Sequence, residues 1–282
     1  QVVVAPGGTH AYAIAREARS ILTFDRNPAT GALTQRSGAA GCLSESGAGC
    51  DHAQVVGLLD GMTMSPDGRN LYTVAGIPRS GGGFDGIVAA FTREPSTGVI
   101  KPVLEPKGCF TVDGSYGGEP NRCTPTRGLC DVLYAITMDP DCRFVYAGAG
   151  SIVTFIRNAS TGELTQLEEA AGCITRVVTA NCVVSRTIGV SRQMSISPDG
   201  RSMYAVGREA GTVTILDRDP ARGTLRQKDN ATGCIGNSAG CTPDGRLAQP
   251  QAALVSRDGR HVYVSIRDGI LVYRRYANGS LA

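Results

Sequence analysis

A four-residue turn recurs five times along the chain, as Ala5-Pro6-Gly7-Gly8, Ser65-Pro66-Asp67-Gly68, Asp139-Pro140-Asp141-Cys142, Ser197-Pro198-Asp199-Gly200 and Ser256-Arg257-Asp258-Gly259. The interval is roughly 60 residues, with one longer gap, and self-similarity of that length is the mark of a repeat protein. A short apolar run precedes each turn (Val2–Val4, Met62–Met64, Ala135–Met138, Met194–Ile196, Ala252–Val255). A tyrosine follows each: Tyr12, Tyr72, Tyr146, Tyr204 and Tyr263. Proline presets φ, an Asp-Gly or Gly-Gly pair supplies the positive φ of a tight turn, and β-branched and aromatic residues suit the flanks. Each copy therefore reads as a hairpin.

A third strand follows in every copy, at Ser20–Asp25, Ile87–Thr92, Ile152–Ile156, Thr212–Asp217 and Ile270–Tyr273. In the first four copies it runs into a second turn of the pattern Arg-x-x-x-x-Gly, ending at Gly31, Gly98, Gly162 and Gly223. A left-handed glycine there leads into a fourth strand such as Ala32–Gln35 or Glu163–Gln166. Each repeat is thus four antiparallel strands followed by a loop.

Those loops hold cysteines at matching points, each led by a glycine: Cys42/Cys50, Cys109/Cys123, Cys173/Cys182 and Cys234/Cys241. Cys130 and Cys142 are left over and form a fifth pair by elimination. The spacings lack the C-x2-C pairs of zinc sites, so we expect disulfides, each contributing about 2–3 kcal/mol by loop entropy. Disulfides in turn imply an extracellular or cell-surface location, or the periplasm of a bacterium. The chain of 282 residues has a formal net charge of only +3, and its 28 Lys and Arg are dispersed. This argues against nucleic acid as a partner, and the short apolar runs argue against membrane insertion. The chain begins at Gln1 with no leader pattern, so it reads as processed or trimmed.

Four-stranded units repeated in this way are expected to stack radially as blades, giving an all-β fold, a β-propeller of about five blades. The expected repeats are approximately 1–57, 58–129, 130–190, 191–250 and 251–282, within one propeller domain or a segment of a longer chain. The Ser-Pro-Asp-Gly-Arg turn, the tyrosine strand and the Arg-x-Pro-x-x-Gly turn together resemble the lactonase-type or YVTN-type β-propeller superfamily. The resemblance covers nearly the whole chain. It implies seven blades in the commoner form, and it brings with it no active-site motif that matches a position here.

In a propeller the cysteine loops surround one mouth of the axial channel, where ligands bind. Residues entering the inner strands there are Asp60, Tyr134, Arg192 and Gln251, with Gln193 and Gln1 one step along. One carboxylate is too few for a metal cage, so neither metal nor cofactor is expected. Asp60, Arg192 and His52 are the candidates for acid–base work, with His52 expected at the mouth and His10 and His261 at the periphery. Asn158, Asn230 and Asn278 each begin an N-x-[ST] sequon and are candidate glycosylation sites. With no convergent catalytic set, the sequence reading favours a non-enzymatic extracellular module that self-assembles or binds proteins. A lactonase-like hydrolase and a carbohydrate-binding propeller are its alternatives.

Overall fold

The computed structural model describes residues 1–53, 56–79, 82–129, 132–178 and 181–282, and they form five small, mainly antiparallel sheets in propeller order, three of which end in a short parallel pair. The first blade contains β1 (Val2–Val4), β2 (His10–Ala15), β3 (Ser20–Arg26), β4 (Leu33–Gln35), β5 (Cys42–Ser44) and β6 (Asp51–His52). The second contains β7 (Leu58–Met64), β8 (Asn70–Pro78), β9 (Phe84–Arg93), β10 (Ile100–Pro102), β11 (Cys109–Thr111) and β12 (Thr124–Pro125). The third contains β13 (Ala135–Met138), β14 (Phe144–Gly148), β15 (Ser151–Arg157), β16 (Leu164–Gln166), β17 (Cys173–Thr175) and β18 (Val183–Val184). The fourth contains β19 (Met194–Ile196), β20 (Ser202–Gly207), β21 (Thr212–Arg218), β22 (Leu225–Gln227) and β23 (Cys234–Gly236). The fifth contains β24 (Ala252–Val255), β25 (His261–Ile266) and β26 (Gly269–Arg274). No described helix is long and apolar enough to cross a membrane.

The outer strand of a blade is not the single strand the sequence predicts. In the first blade β4 pairs with the end of β3 and β5 with its beginning, and a 3-10 turn at Ala39–Gly41 steps between them. Blades three and four repeat this device at Glu169–Gly172 and Asn230–Gly233. The leading cysteine of each pair therefore begins the second half of the outer strand. Disulfides Cys42–Cys50, Cys109–Cys123, Cys173–Cys182 and Cys234–Cys241 then turn the chain back beside it, with Cα atoms 4.8–4.9 Å apart. Cys142 has no disulfide partner among the described residues, and Cys130, expected to pair with it, lies outside them.

Four apolar layers between successive blades make the core. Tyr12 and Ile21 meet Leu59 and Phe91 between the first two blades. Val74 and Val88 meet Val145 and Phe155 in the next layer, and Tyr146 and Ile152 meet Met203 and Leu216 in the third. In the last, Val206 and Ile215 meet Val255 and Val264. The outward faces of the first and last blades are less covered: Val2, Val4, Leu254, Ile270 and Val272 are all exposed.

Each seam is also clamped by the repeat's own motif. Tyr146 Oη donates to the Gly223 carbonyl of the next blade at 2.8 Å. Arg218 of that blade answers by donating to Tyr146 Oη at 2.6 Å and to Asp139 Oδ2 at 2.7 Å. The fourth seam repeats the arrangement with Tyr204, Gly279, Arg275 and Asp199. At the second seam Tyr72 holds Gly162, while Arg157 donates to Asp67 and Asn70. At the first, Tyr12 holds Gly98 and Arg93 donates to Tyr12, but its remaining nitrogen meets His10.

Candidate functional site

The inner strands run side by side in the same direction, as paired contacts near both ends of the first two show. Gln1 exchanges side-chain hydrogen bonds with the Met62 backbone at one end, and Pro6 lies against Gly68 at the other. They enclose an axial cavity of about 410 Å³. Its far end is apolar, built from Pro6, Met64, Pro66, Met138 and Pro140, because the recurring turns converge there. Its near end is polar, built from Gln1, Tyr134, Arg192 and Gln193, because the strands begin there.

Three features give the near end chemical character. Arg192 is exposed to the cavity with its guanidinium carbon 5.0 Å from the centre of the Tyr134 ring, and it has no acidic partner among the described residues. A cation stacked on an aromatic face but unneutralised is free to receive an anion or a developing negative charge. Second, Asp60 is the extra residue of a β-bulge between Leu59 and Gly61 on β7. Its Oδ1 accepts from Arg16 Nε at 3.0 Å, while its Oδ2 is buried and has no hydrogen-bond partner among the described residues. The Asp60 hydrogen bond holds the Arg16 guanidinium above its usual value. Third, Gly61 lets the strands close: a Cβ there would stand 2.8 Å from the Tyr134 carbonyl oxygen. The bulge thus sets Asp60 next to the cavity-lining Gly61, which faces the Tyr134 carbonyl, while Asp60 itself lies outside the cavity lining.

Not every expected residue joins this site. Gln251 sits outside the cavity wall, with its Nε2 donating to the Gln249 carbonyl. His52 does not reach the mouth. It is exposed on β6 and borders a separate groove of about 290 Å³ against Phe91, Val103, Leu104 and Glu105 of the second blade, because the parallel pairing of β6 with β5 carries it outward. His10, expected at the periphery, is 6% exposed and buried in the first clamp. Asn158 and Asn278 lie in exposed turns, where each Oδ1 accepts from the serine two residues on, and Asn230 is exposed on a 3-10 turn. Arg16 was missed, and nothing in its local sequence distinguishes it from other loop arginines. Among the described residues no three His, Cys, Asp or Glu side chains cluster so as to hold a metal ion.

The comparisons with known proteins decide the family. The model of the lactonase family, described as a seven-bladed beta-propeller, matches residues 136–282, just over half of the chain and including Arg192. The chain belongs to this lactonase family. No curated protein matches it. Among solved structures, a putative 6-phosphogluconolactonase from Bacteroides uniformis superposes with a TM-score of 0.63 at 18% identity, covering 100% of this chain and 69% of that one. The periplasmic gluconolactonase PpgL of Pseudomonas aeruginosa gives 0.58 at 17%, covering 99% and 65%. A chain of a mitotic checkpoint complex gives 0.53 at 13%, covering 95% and 59%. At such identities these superpositions establish the fold alone. The lactonase-family chain spans about two thirds of the length of the two gluconolactonase structures. Family membership overturns the sequence reading of a non-enzymatic structural module, which had rested on the lack of a recognisable catalytic set, and favours its hydrolase alternative.

Proposed function

We propose that the chain is a lactone hydrolase of the sugar-acid type that works at the polar mouth of the axial cavity. The observation that carries this reading is the lactonase family match over residues 136–282, within which Arg192 lies. Two of the structural relatives bear the printed names 6-phosphogluconolactonase and gluconolactonase, which supplies the substrate class.

The chemistry follows from the two charged groups. Arg16 occupies Oδ1 of Asp60, so the unpartnered Oδ2 is the base, and it must be uncovered from its buried position beside Gly61 to take a proton from water. The hydroxide so formed attacks the lactone carbonyl carbon, and the negative charge that gathers on the carbonyl oxygen is stabilised by the Arg192 guanidinium. Collapse of the tetrahedral intermediate breaks the ring C–O bond, and the departing oxygen recovers the proton from Asp60. The product is the open-chain hydroxy acid. Tyr134 contributes by carrying the guanidinium over the face of its ring. The four disulfides support an extracellular or periplasmic setting.

The test is hydrolysis of glucono-δ-lactone and 6-phosphogluconolactone followed by base uptake at constant pH, with spontaneous opening subtracted. We expect Asp60→Asn to lower kcat about 10²- to 10³-fold, in the range typical of a lost general base. Arg192→Gln should cost a comparable factor with both lactones. A wild-type protein no faster than buffer would overturn the reading.

A further inference from the structure

We propose that His10 makes the joint between the first and second blades a proton-sensitive latch, a device the other three joints lack. In those joints the arginine of the incoming blade closes on a carboxylate: Arg157 on Asp67, Arg218 on Asp139 and Arg275 on Asp199. The first turn of the chain reads Ala5-Pro6-Gly7-Gly8, so neither Ala5, in the place of Asp139, nor Gly7, in the place of Asp67 and Asp199, offers a carboxylate. Arg93 still donates to Tyr12 Oη at 2.6 Å and to the Gly68 carbonyl at 2.9 Å, but its Nη2 lies 2.9 Å from His10 Nδ1.

An arginine nitrogen carries only hydrogens, so Nδ1 must be the unprotonated nitrogen and the ring must be neutral. A second proton would set N–H against N–H and cation against cation inside a site where His10 is 6% exposed. The surroundings give little compensation. Thr9 Oγ1 lies 3.0 Å from the same Nδ1. Arg36 adds a further positive charge and takes up Asp25 at 2.6 Å, leaving that carboxylate, itself more than half exposed, 3.8 Å from His10 Nε2. Arg26 donates to the Gly8 carbonyl nearby. Burial first, then Arg93 and Arg36, hold His10 below its usual value, with Asp25 opposing them.

The sign of the effect is fixed by this direction. Above the unfolded value near 6.5 the imidazole is neutral in both states and the latch is closed. As pH falls through that value and on toward the lower folded value, the opened joint binds the proton first and opening is favoured. Protonation therefore loosens β1–β3 from the second blade while the three aspartate joints stay shut.

The natural control is Asn70, which occupies the equivalent place in the second blade and accepts from Arg157 with an oxygen that does not titrate. Amide exchange on the full chain at about pH 7.5 and about 5.5, corrected for intrinsic rates, should show β1–β3 losing protection. The loss should approach but not exceed about tenfold, because pH 5.5 lies one unit below the unfolded value. His10→Asn should remove that loss and leave the fourth and fifth blades unaffected in either protein. Independently of any variant, the wild-type imidazole should titrate below 6.5 with its neutral proton on Nε2, read from nitrogen chemical shifts of a protein with 3 histidines. A midpoint at or above the free value, or equal losses in wild type and His10→Asn, would overturn the proposal.

Discussion

Arginine and aspartate meet at three seams, but the setting of each pair decides its worth. Asp139 and Arg218 side chains are both 0% exposed, and Asp139 Oδ1 also receives the amides of Arg143 and Phe144. Asp199, in the equivalent pair with Arg275, is 40% exposed. Removing one charge from a buried pair strands the other without water, so Asp139→Ala should cost about 3–5 kcal/mol. Solvent can replace the exposed carboxylate, so Asp199→Ala should cost about 1 kcal/mol or less from the ion pair. Urea unfolding of the two variants checks the contrast, and equal losses would refute it. Cys142 offers a second test at this scale. It adopts φ 60, where four of the five matching turns have glycine near +70. Cys142→Gly should relieve that backbone and stabilise by about 0.5–1 kcal/mol. A loss of 2 kcal/mol or more would instead reveal a bridge to Cys130 of the size expected for a disulfide. Little of the clamp was legible in the sequence. The motif residues were visible, but their partners lie 71 to 90 positions away, and a turn proline or an arginine signals only its local conformation.

At the scale of elements, the inner hairpins were the most readable part. Four of the five expected inner strands coincide with β1, β13, β19 and β24, because proline-glycine turns fix where a strand stops. The outer strand was only half read. Its first part, at Leu33–Gln35 and Leu164–Gln166, follows the glycine turn, but the 3-10 step that restarts it at the cysteine has no strong local signature. That step gives the disulfides their task. After Cys182 the chain carries Arg186, whose amide donates to Gln227 Oε1 and whose guanidinium caps the Lys228 and Asn230 carbonyls of the following blade. Arg127 caps Leu167 and Glu169 in the same way. Replacing Cys173 and Cys182 together by serine should cost about 2–3 kcal/mol from loop entropy. It should also raise amide exchange across the seam at Lys228–Asn230. Exchange confined to the opened loop would show that the bridge does not hold the neighbour. The same outward path explains His52, whose sequence position after a cysteine loop suggested the mouth but whose strand follows the rim.

For the whole molecule, the acid response should come in two stages. Burial pushes the Asp67 and Asp199 carboxyls up. The hydroxyls of Ser65 and Ser197, the amides of Arg69 and Arg201, and the guanidiniums of Arg157 and Arg275 outweigh it, holding both below the ordinary value of 3.8. Carboxyls with depressed pKa lend stability that is complete above the unfolded value and drains away as pH falls below it. Circular dichroism against pH should therefore show cooperative unfolding only below about pH 4, whereas the local change at His10 begins as pH falls below 6.5. A global transition near pH 6 would refute this separation. The architecture was legible because it is written five times over. The site was legible in part: the repeat register pointed to Asp60, Tyr134 and Arg192 at the inner strand ends, but not to the Tyr134–Arg192 stack or the Arg16–Asp60 bond, which form only when separate blades meet at one axis.

The clamp has a further consequence for how such a chain can grow. Each repeat length of sequence encodes a socket, its tyrosine and turn carboxylate, and a plug, its Arg-x-x-x-x-Gly turn. Copying one repeat in the gene adds one plug and one socket together, so the duplicated leaf arrives with a fitting for each neighbour and leaves no buried charge without a mate. Drift at one joint is likewise contained, as the loss of the turn carboxylate at the first joint illustrates: Arg93 keeps its tyrosine and its carbonyl while its third contact passes to His10.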